Sequence, residues 1–263
     1  MVRKISIPHL VGLYFSVELK RKIGDIEPLA TMGIDNAIDE GKYGPEYHLK
    51  CRDFVTSVWK GEEVKPVNKY ELRLLRDVLH LKHLQAGGFR YGKDVYNEWL
   101  KSFEVGYKKA GTRGKILPWN EIRKLTGESG CNFVATTLYF SFPELGKKSI
   151  NTLAAEFGPI VKEADNLADV YQDAEEGYVK VPIKFISGIE HSDGVIKKID
   201  LKKFKVDPKY IKDRFAVLDT RFWRADRKLM QIVLKKQVDQ KLLAILRFRA
   251  FSWLLNVKDV HDF

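Results

Sequence analysis

A chain of 263 residues with 44% hydrophobic side chains is long enough for one large domain and apolar enough to bury a substantial core. Lysine and arginine outnumber aspartate and glutamate 46 to 35, and the net charge of +11 suits an anionic partner: nucleic acid, a lipid surface or a diphosphate. No zinc-finger spacing, glycine-rich aromatic motif or lone basic tail accompanies that charge, no apolar run has signal-peptide or membrane-spanning length, and Cys51 and Cys131 lack ligand spacing; the sequence therefore reads as a cytoplasmic protein with reduced thiols and no nucleic-acid partner.

Residues 8–31 read as a helical hairpin or a helix and its approach, with Leu10, Leu13, Tyr14 and Val17 on one face and Lys20-Arg21-Lys22 before Gly24. A helix over 26–40 follows, ended by Gly41 and Gly44-Pro45. From Tyr47 to Trp59 and from Tyr70 to Gln85 apolar residues recur at three and four, predicting two helices around a loop from Gly61 to Pro66; Leu72, Leu75, Val78, Leu79, Leu81 and Leu84 carry the second. His80 and His83 lack further convergent ligands and read as a helix-surface pair. Residues 93–109 carry a stripe of Val95, Trp99, Phe103 and Tyr107 that predicts core.

A basic turn, Gly111 to Gly114, precedes a helix begun by Pro118-Trp119, where Gly127, Ser129, Gly130 and Ala135 allow close approach of a neighbour. Ser149 to Glu175 reads as one long helix, residues 183–206 as a loop or short hairpin, and Tyr210 to Val233 and Val238 to Val257 as two closing helices. The last reads as a packed terminal helix, with docking on a membrane surface left open. With no repeat or linker, these elements predict one all-α domain over residues 1–263.

Two pairs of carboxylates stand four apart: Asp35 and Asp39 in Ile34-Asp35-Asn36-Ala37-Ile38-Asp39-Glu40, and Asp169 and Asp173 in Asp169-Val170-Tyr171-Gln172-Asp173. That spacing sets both members on one helix face, where a pair either binds a cation or is solvated surface. Two such helices facing one another would gather four carboxylates, a charge that calls for divalent metal.

The run from Asp169 through Asp173 to Gly177-Tyr178-Val179-Lys180-Val181-Pro182 resembles the second aspartate-rich motif of squalene and phytoene synthases, where Asp-x-x-x-Asp leads into Gly-x-x-x-x-Pro. Ile34 to Glu40 is similar to that family's first motif, and the order and separation of the two agree, so the resemblance spans at least residues 14–182. It implies a class I isoprenoid synthase-like helical bundle with a central active-site cavity. There Asp35, Asp39, Asp169 and Asp173 would hold Mg²⁺ and ionise a prenyl diphosphate, with Tyr14 and Phe133 along the substrate path. Mg²⁺ binds through one or two carboxylates plus phosphate oxygens, which fits that arrangement. Arg221, Arg224 and Arg227, three apart on a helix, are candidates for the phosphate charge or else a solvated basic face.

The chain departs from the family pattern where Met32, Asn36, Asp165 and Ala168 replace an arginine, an aspartate, an asparagine and an arginine, and where Ile122-Arg123-Lys124-Leu125 lacks a tyrosine. Head-to-head condensation of two prenyl diphosphates, cyclisation of one, and prenyl transfer to another acceptor all remain open, beside a non-catalytic relative and a nucleic-acid binder explained by charge alone.

Overall fold

A computed structural model describes Val17 and residues 32–236 and 238–261; residues 8–16, which include Tyr14, and most of the expected first hairpin lie outside the described residues. Helices account for 70% of the structure, in agreement with the all-α expectation. In chain order they are α1 (Met32–Asp39), α2 (Tyr47–Lys60), α3 (Lys69–Ala86), α4 (Gly92–Ala110), α5 (Trp119–Ser141), α6 (Lys147–Ala168), α7 (Val170–Glu175), α8 (Pro208–Val233) and α9 (Gln240–His261). Four short strands lie between α7 and α8: β1 (Ile186–Ser187), β2 (Ile189–Ser192), β3 (Val195–Ile199) and β4 (Lys205–Val206).

The helices stack in a sequence set by their apolar stripes. α2 packs on α3 and α4, α4 on α5, α5 on α6, and α6 on both α8 and α9. Trp99 and Phe103 of α4 and Leu138, Tyr139 and Phe140 of α5 are fully buried in the cluster this stacking creates. Its tightest crossing lies between α5 and α6, where Gly130 faces Gly158 so closely that a Cβ on Gly130 would sit 2.0 Å from the Gly158 carbonyl oxygen. The expected small-residue contact thus falls on Gly130; a Cβ on Gly127 would meet nothing nearer than Pro159 Cγ at 4.0 Å.

Three sequence expectations are corrected by the structure. The Ser149–Glu175 helix is divided, because Asp169 takes φ −94° and ψ 9° between α6 and α7. Leu72 and Leu79, assigned to an apolar face by their spacing, are 58% and 51% exposed: α3 turns Leu74, Val78 and Leu81 inward, one step round the helix. Tyr107 likewise ends the aromatic stripe of α4 half outside the core, while Val95, Trp99 and Phe103 keep to it.

Residues 183–206 resolve into a hairpin. β2 and β3 pair antiparallel about Asp193-Gly194, whose φ values of 53° and 74° are those of the two-residue turn that matches strand twist. Its strand end is tied to the Gly111–Gly114 turn by Ile196 N–H donating to Gly114 O at 2.8 Å, and Gly114 N–H donates to Gly177 O at 2.9 Å, which braces the chain just after α7.

The start of α3 is held by Asn68, whose Oδ1 accepts from Tyr70 N at 2.9 Å and Glu71 N at 3.0 Å. Two of the orphan donors at that helix end are thereby satisfied. Asn68→Ala is expected to lower stability by about 1 kcal/mol, read as a shift of the urea midpoint at constant m-value.

Candidate active site

α1 buries Ile34, Ala37 and Ile38, which leaves Asp35 and Asp39 on its half-exposed side. Asp35 Oδ1 lies 3.2 Å from Nε2 of His48 in α2. His48 is buried, and burial holds its pKa below the usual value against the pull of Asp35, so the contact at neutral pH is a neutral imidazole N–H donating to a carboxylate. Room for this ring comes from Gly106 of α4, where a Cβ would stand 2.5 Å from His48 Cε1.

The second acidic motif reaches the first through the end of α7. Tyr178 N–H donates to Asp173 O and Gly177 N–H to Ala174 O, with Gly177 at φ 87°; this paired closure of a helix C-terminus needs a left-handed residue, which glycine adopts without strain. The reversal aims Tyr178 back across the fold, and its hydroxyl donates to Asp39 Oδ1 at 2.9 Å across 139 residues of sequence. Two residues on, Lys180 forms an ion pair with buried Asp173.

Asp165, Asp169 and Asp173 follow one another at four-residue steps and so share a stripe. Lys162 pairs with Asp165, one turn back on α6. Although burial opposes ionisation of both, that pairing keeps Asp165 below and Lys162 above its ordinary pKa. Asp169 has no ion pair among the described residues, and burial together with the repulsion of Asp165 and Asp173 raises its pKa to about 6. Burial pushes Asp173 up and Lys180 down in spite of their contact. Lys109 of α4 stands between the motifs: its ammonium lies 5.7 Å from the Tyr178 ring centroid, as does that of Lys180, and its charge acts on His48 on one side and on Asp165 and Asp173 on the other.

Lys109, Lys162 and Lys180 form the polar wall of a small cavity, about 40 Å³, whose remaining lining includes Val105, Ile122 and Leu125. A wider cleft of about 360 Å³ between α5, α6 and α8 shares Thr126, Asn166 and Lys180 with it and adds Trp119, Arg123 and Arg221. Asn166 donates to Thr126 Oγ1 at 3.1 Å, while its buried Oδ1 has no hydrogen-bond partner among the described residues.

Comparison with family models, with curated proteins and with solved structures finds no match for this chain. The assignment of site residues therefore rests on geometry. The structure joins Asp39 to Tyr178 and Asp173 to Lys180, leaves Asp35 on His48 and Asp169 beside Asp165 and Asp173, and sets Arg221 at the edge of the wider cleft, 4.0 Å from Glu163. Arg224 and Arg227 are exposed on α8, because successive three-residue steps carry them round to the solvent side. Phe133 lines a separate apolar pocket with Phe157 and Trp253, and that pocket shares no residue with the cavity or the cleft. Among the described residues no three of His, Cys, Asp or Glu converge closely enough to hold a metal ion by themselves.

Lys109, Lys162, Lys180, Tyr178 and His48 are the site residues that sequence reasoning missed. Only Lys162 carried a local signal, its three-residue spacing from Asp165. The others meet the carboxylates through long-range packing.

Proposed function

We propose that this chain is a Mg²⁺-dependent enzyme of the squalene/phytoene synthase kind, which ionises a prenyl diphosphate in a class I isoprenoid synthase-like bundle. The observation that carries the proposal is the hydrogen bond from Tyr178 to Asp39, which draws the flank of the second acidic motif onto the first. Asp169 supports it: a carboxylate destabilised by burial and by two carboxylate neighbours gains from a nearby cation. The donor set is hard oxygen, and pairs of carboxylates completed by phosphate oxygens and water suit Mg²⁺.

When bound, Mg²⁺ would withdraw charge from the diphosphate and so favour cleavage of the allylic carbon–oxygen bond. Asp35, Asp39, Asp169 and Asp173 are the residues that would hold it. Lys109, Lys162 and Lys180 present ammonium groups to the cavity, where they would bind phosphate oxygens and orient the leaving group. Val105, Ile122 and Leu125 would exclude water from the carbon that loses the diphosphate.

One observation favours a second reading. Lys162 and Lys180 already pair with Asp165 and Asp173, an internal neutralisation that also suits a non-catalytic relative. Incubation with prenyl diphosphates of several lengths separates the two. The enzyme reading expects pyrophosphate release and an isoprenoid product detected by mass spectrometry, both abolished by chelation and restored by added Mg²⁺. Full activity in excess chelator, or no turnover of any prenyl diphosphate with Mg²⁺ present, rejects it. The product also distinguishes condensation from cyclisation and from transfer to another acceptor.

A further inference from the structure

The outward face of α3 combines exposed apolar side chains with cations. Leu72 and Leu79, two turns apart, are 58% and 51% exposed, and Val67 just before the helix is 74% exposed. Between and beside them stand exposed Lys69, Arg73 and Arg76. The two carboxylates of this helix point the other way: Glu71 and Asp77 are 2% and 1% exposed. Glu71 is bound inside by the Val67 amide at 2.9 Å and meets Lys50 at 3.4 Å, while Asp77 lies 3.9 Å from Arg73. The solvent side of α3 is therefore a row of apolar side chains edged by cations, with no carboxylate of the helix among them.

From this face we infer that α3 docks the protein on an anionic lipid surface. All residues that line the shallow groove here, Lys69, Leu72, Arg73, Leu75, Arg76 and Leu79, come from α3 alone. Protein partners bind most strongly where an aromatic or arginine anchor enters a walled, desolvated pocket, and a convex single helix offers no second wall. A bilayer interface needs none: leucines enter the boundary between headgroup and acyl chain while lysine and arginine meet the phosphates around them. The net charge of +11 adds a long-range attraction toward the same surface. The inference does not depend on the proposed reaction, since no residue of α3 belongs to that site.

Vesicle flotation of the full chain tests it, with phosphatidylcholine alone and with phosphatidylglycerol added. The wild type is expected to float with the mixed vesicles, to stay behind with phosphatidylcholine alone, and to be released by high salt. Arg76→Glu is expected to lower partitioning roughly fivefold or more, the usual effect of one cation near an anionic surface. Leu72→Ser with Leu79→Ser is expected to abolish flotation with an unchanged helical circular dichroism spectrum, since both side chains are surface groups. Failure of the wild type to float overturns the inference, as does flotation of the double variant at the wild-type level. A dimer in sedimentation velocity that the same double variant dissolves also overturns it, because the leucines would then be covered by a second copy.

Discussion

Gly130→Ala is expected to lower the melting temperature by roughly 10 °C, whereas Gly127→Ala, three residues earlier on the same helix, is expected to leave it unchanged or raise it. The first adds a methyl group 2.0 Å from the carbonyl oxygen and 2.4 Å from the carbonyl carbon of Gly158. Those are backbone atoms of a neighbouring helix, so no rotamer change relieves the clash and α5 and α6 must separate. Overpacking of a core typically costs 1–3 kcal/mol and more where nothing yields, so we expect about 3 kcal/mol; at roughly 2–4 °C per kcal/mol in a chain of this size, that is the shift given above. Gly127 meets only Pro159 Cγ at 4.0 Å, and replacing a helical glycine by alanine gains up to about 1 kcal/mol of helix propensity. Gly158→Ala reports the same crossing from the other side, with a Cβ 2.4 Å from Cys131 N, and the two alanines should be strongly non-additive. Equal melting of Gly130→Ala and wild type would show that the helices do not cross this closely.

The crossing also explains which parts of the fold were legible in the sequence. Helical patterning located α2, α3, α4, α8 and α9 to within a few residues, because each buries a stripe with a helical period, whereas the α6 pattern ran on through α7 to Glu175. It misassigned Leu72 and Leu79 because α3 is leucine-rich all round and its inward face is chosen by tertiary packing, not by spacing. The break at Asp169 left no propensity signal: Asp173 N–H still donates to Asp169 O at 2.8 Å, so the chain keeps a helical course through the kink. In the hairpin, Asp193-Gly194 was the available signal, a pair suited to positive φ between residues of alternating polarity.

In the site, the aspartates were legible as two spaced pairs, and their companions were not. Tyr178 and Lys180 follow a helix-ending glycine, and only the left-handed turn at Gly177 determines that they fold back onto Asp39 and Asp173. Lys109 reads as an ordinary basic residue in the last turn of α4, where it also complements the helix dipole. Ala168 brings no charge to the end of α6, and the cationic wall of the cavity is made by lysines from α4, α6 and the segment after α7. Under the proposed function such a wall would meet phosphate with point charges, without the two-pronged geometry of a guanidinium.

Asp169→Asn and Asp173→Asn are expected to shift the stability of the metal-free protein in opposite directions while both lower turnover by orders of magnitude. Asp169 has its folded-state pKa raised to about 6, above the roughly 3.9 of an unfolded chain, so the folded state holds the proton more tightly. Between about pH 4 and pH 6 stability therefore rises as pH falls, and above pH 6 the ionised side chain imposes its full cost, at most about 3 kcal/mol and less after solvent screening of this partly exposed group. Asparagine removes that cost, so in chelator at pH 7 the Asp169→Asn protein should melt higher than wild type, and the Asp169 contribution to the gain from pH 7 to pH 5 should vanish. Asp173→Asn also removes a carboxylate that burial disfavours, but it strands Lys180 in the interior, a loss of up to about 3–5 kcal/mol for a broken buried pair that outweighs the gain, softened because burial already eases deprotonation of Lys180. Under the proposed function each variant loses a charged oxygen ligand for Mg²⁺, and activity on a prenyl diphosphate should fall steeply regardless of which way stability moved. Thermal melts with and without Mg²⁺, beside pyrophosphate release, keep the two effects apart. Mg²⁺ should raise the wild-type melting temperature more than that of Asp169→Asn, because only the wild type has that repulsion to relieve. Wild-type turnover in Asp169→Asn would remove this carboxylate from the metal site, and a higher melting temperature for Asp173→Asn would mean that Lys180 does not depend on it.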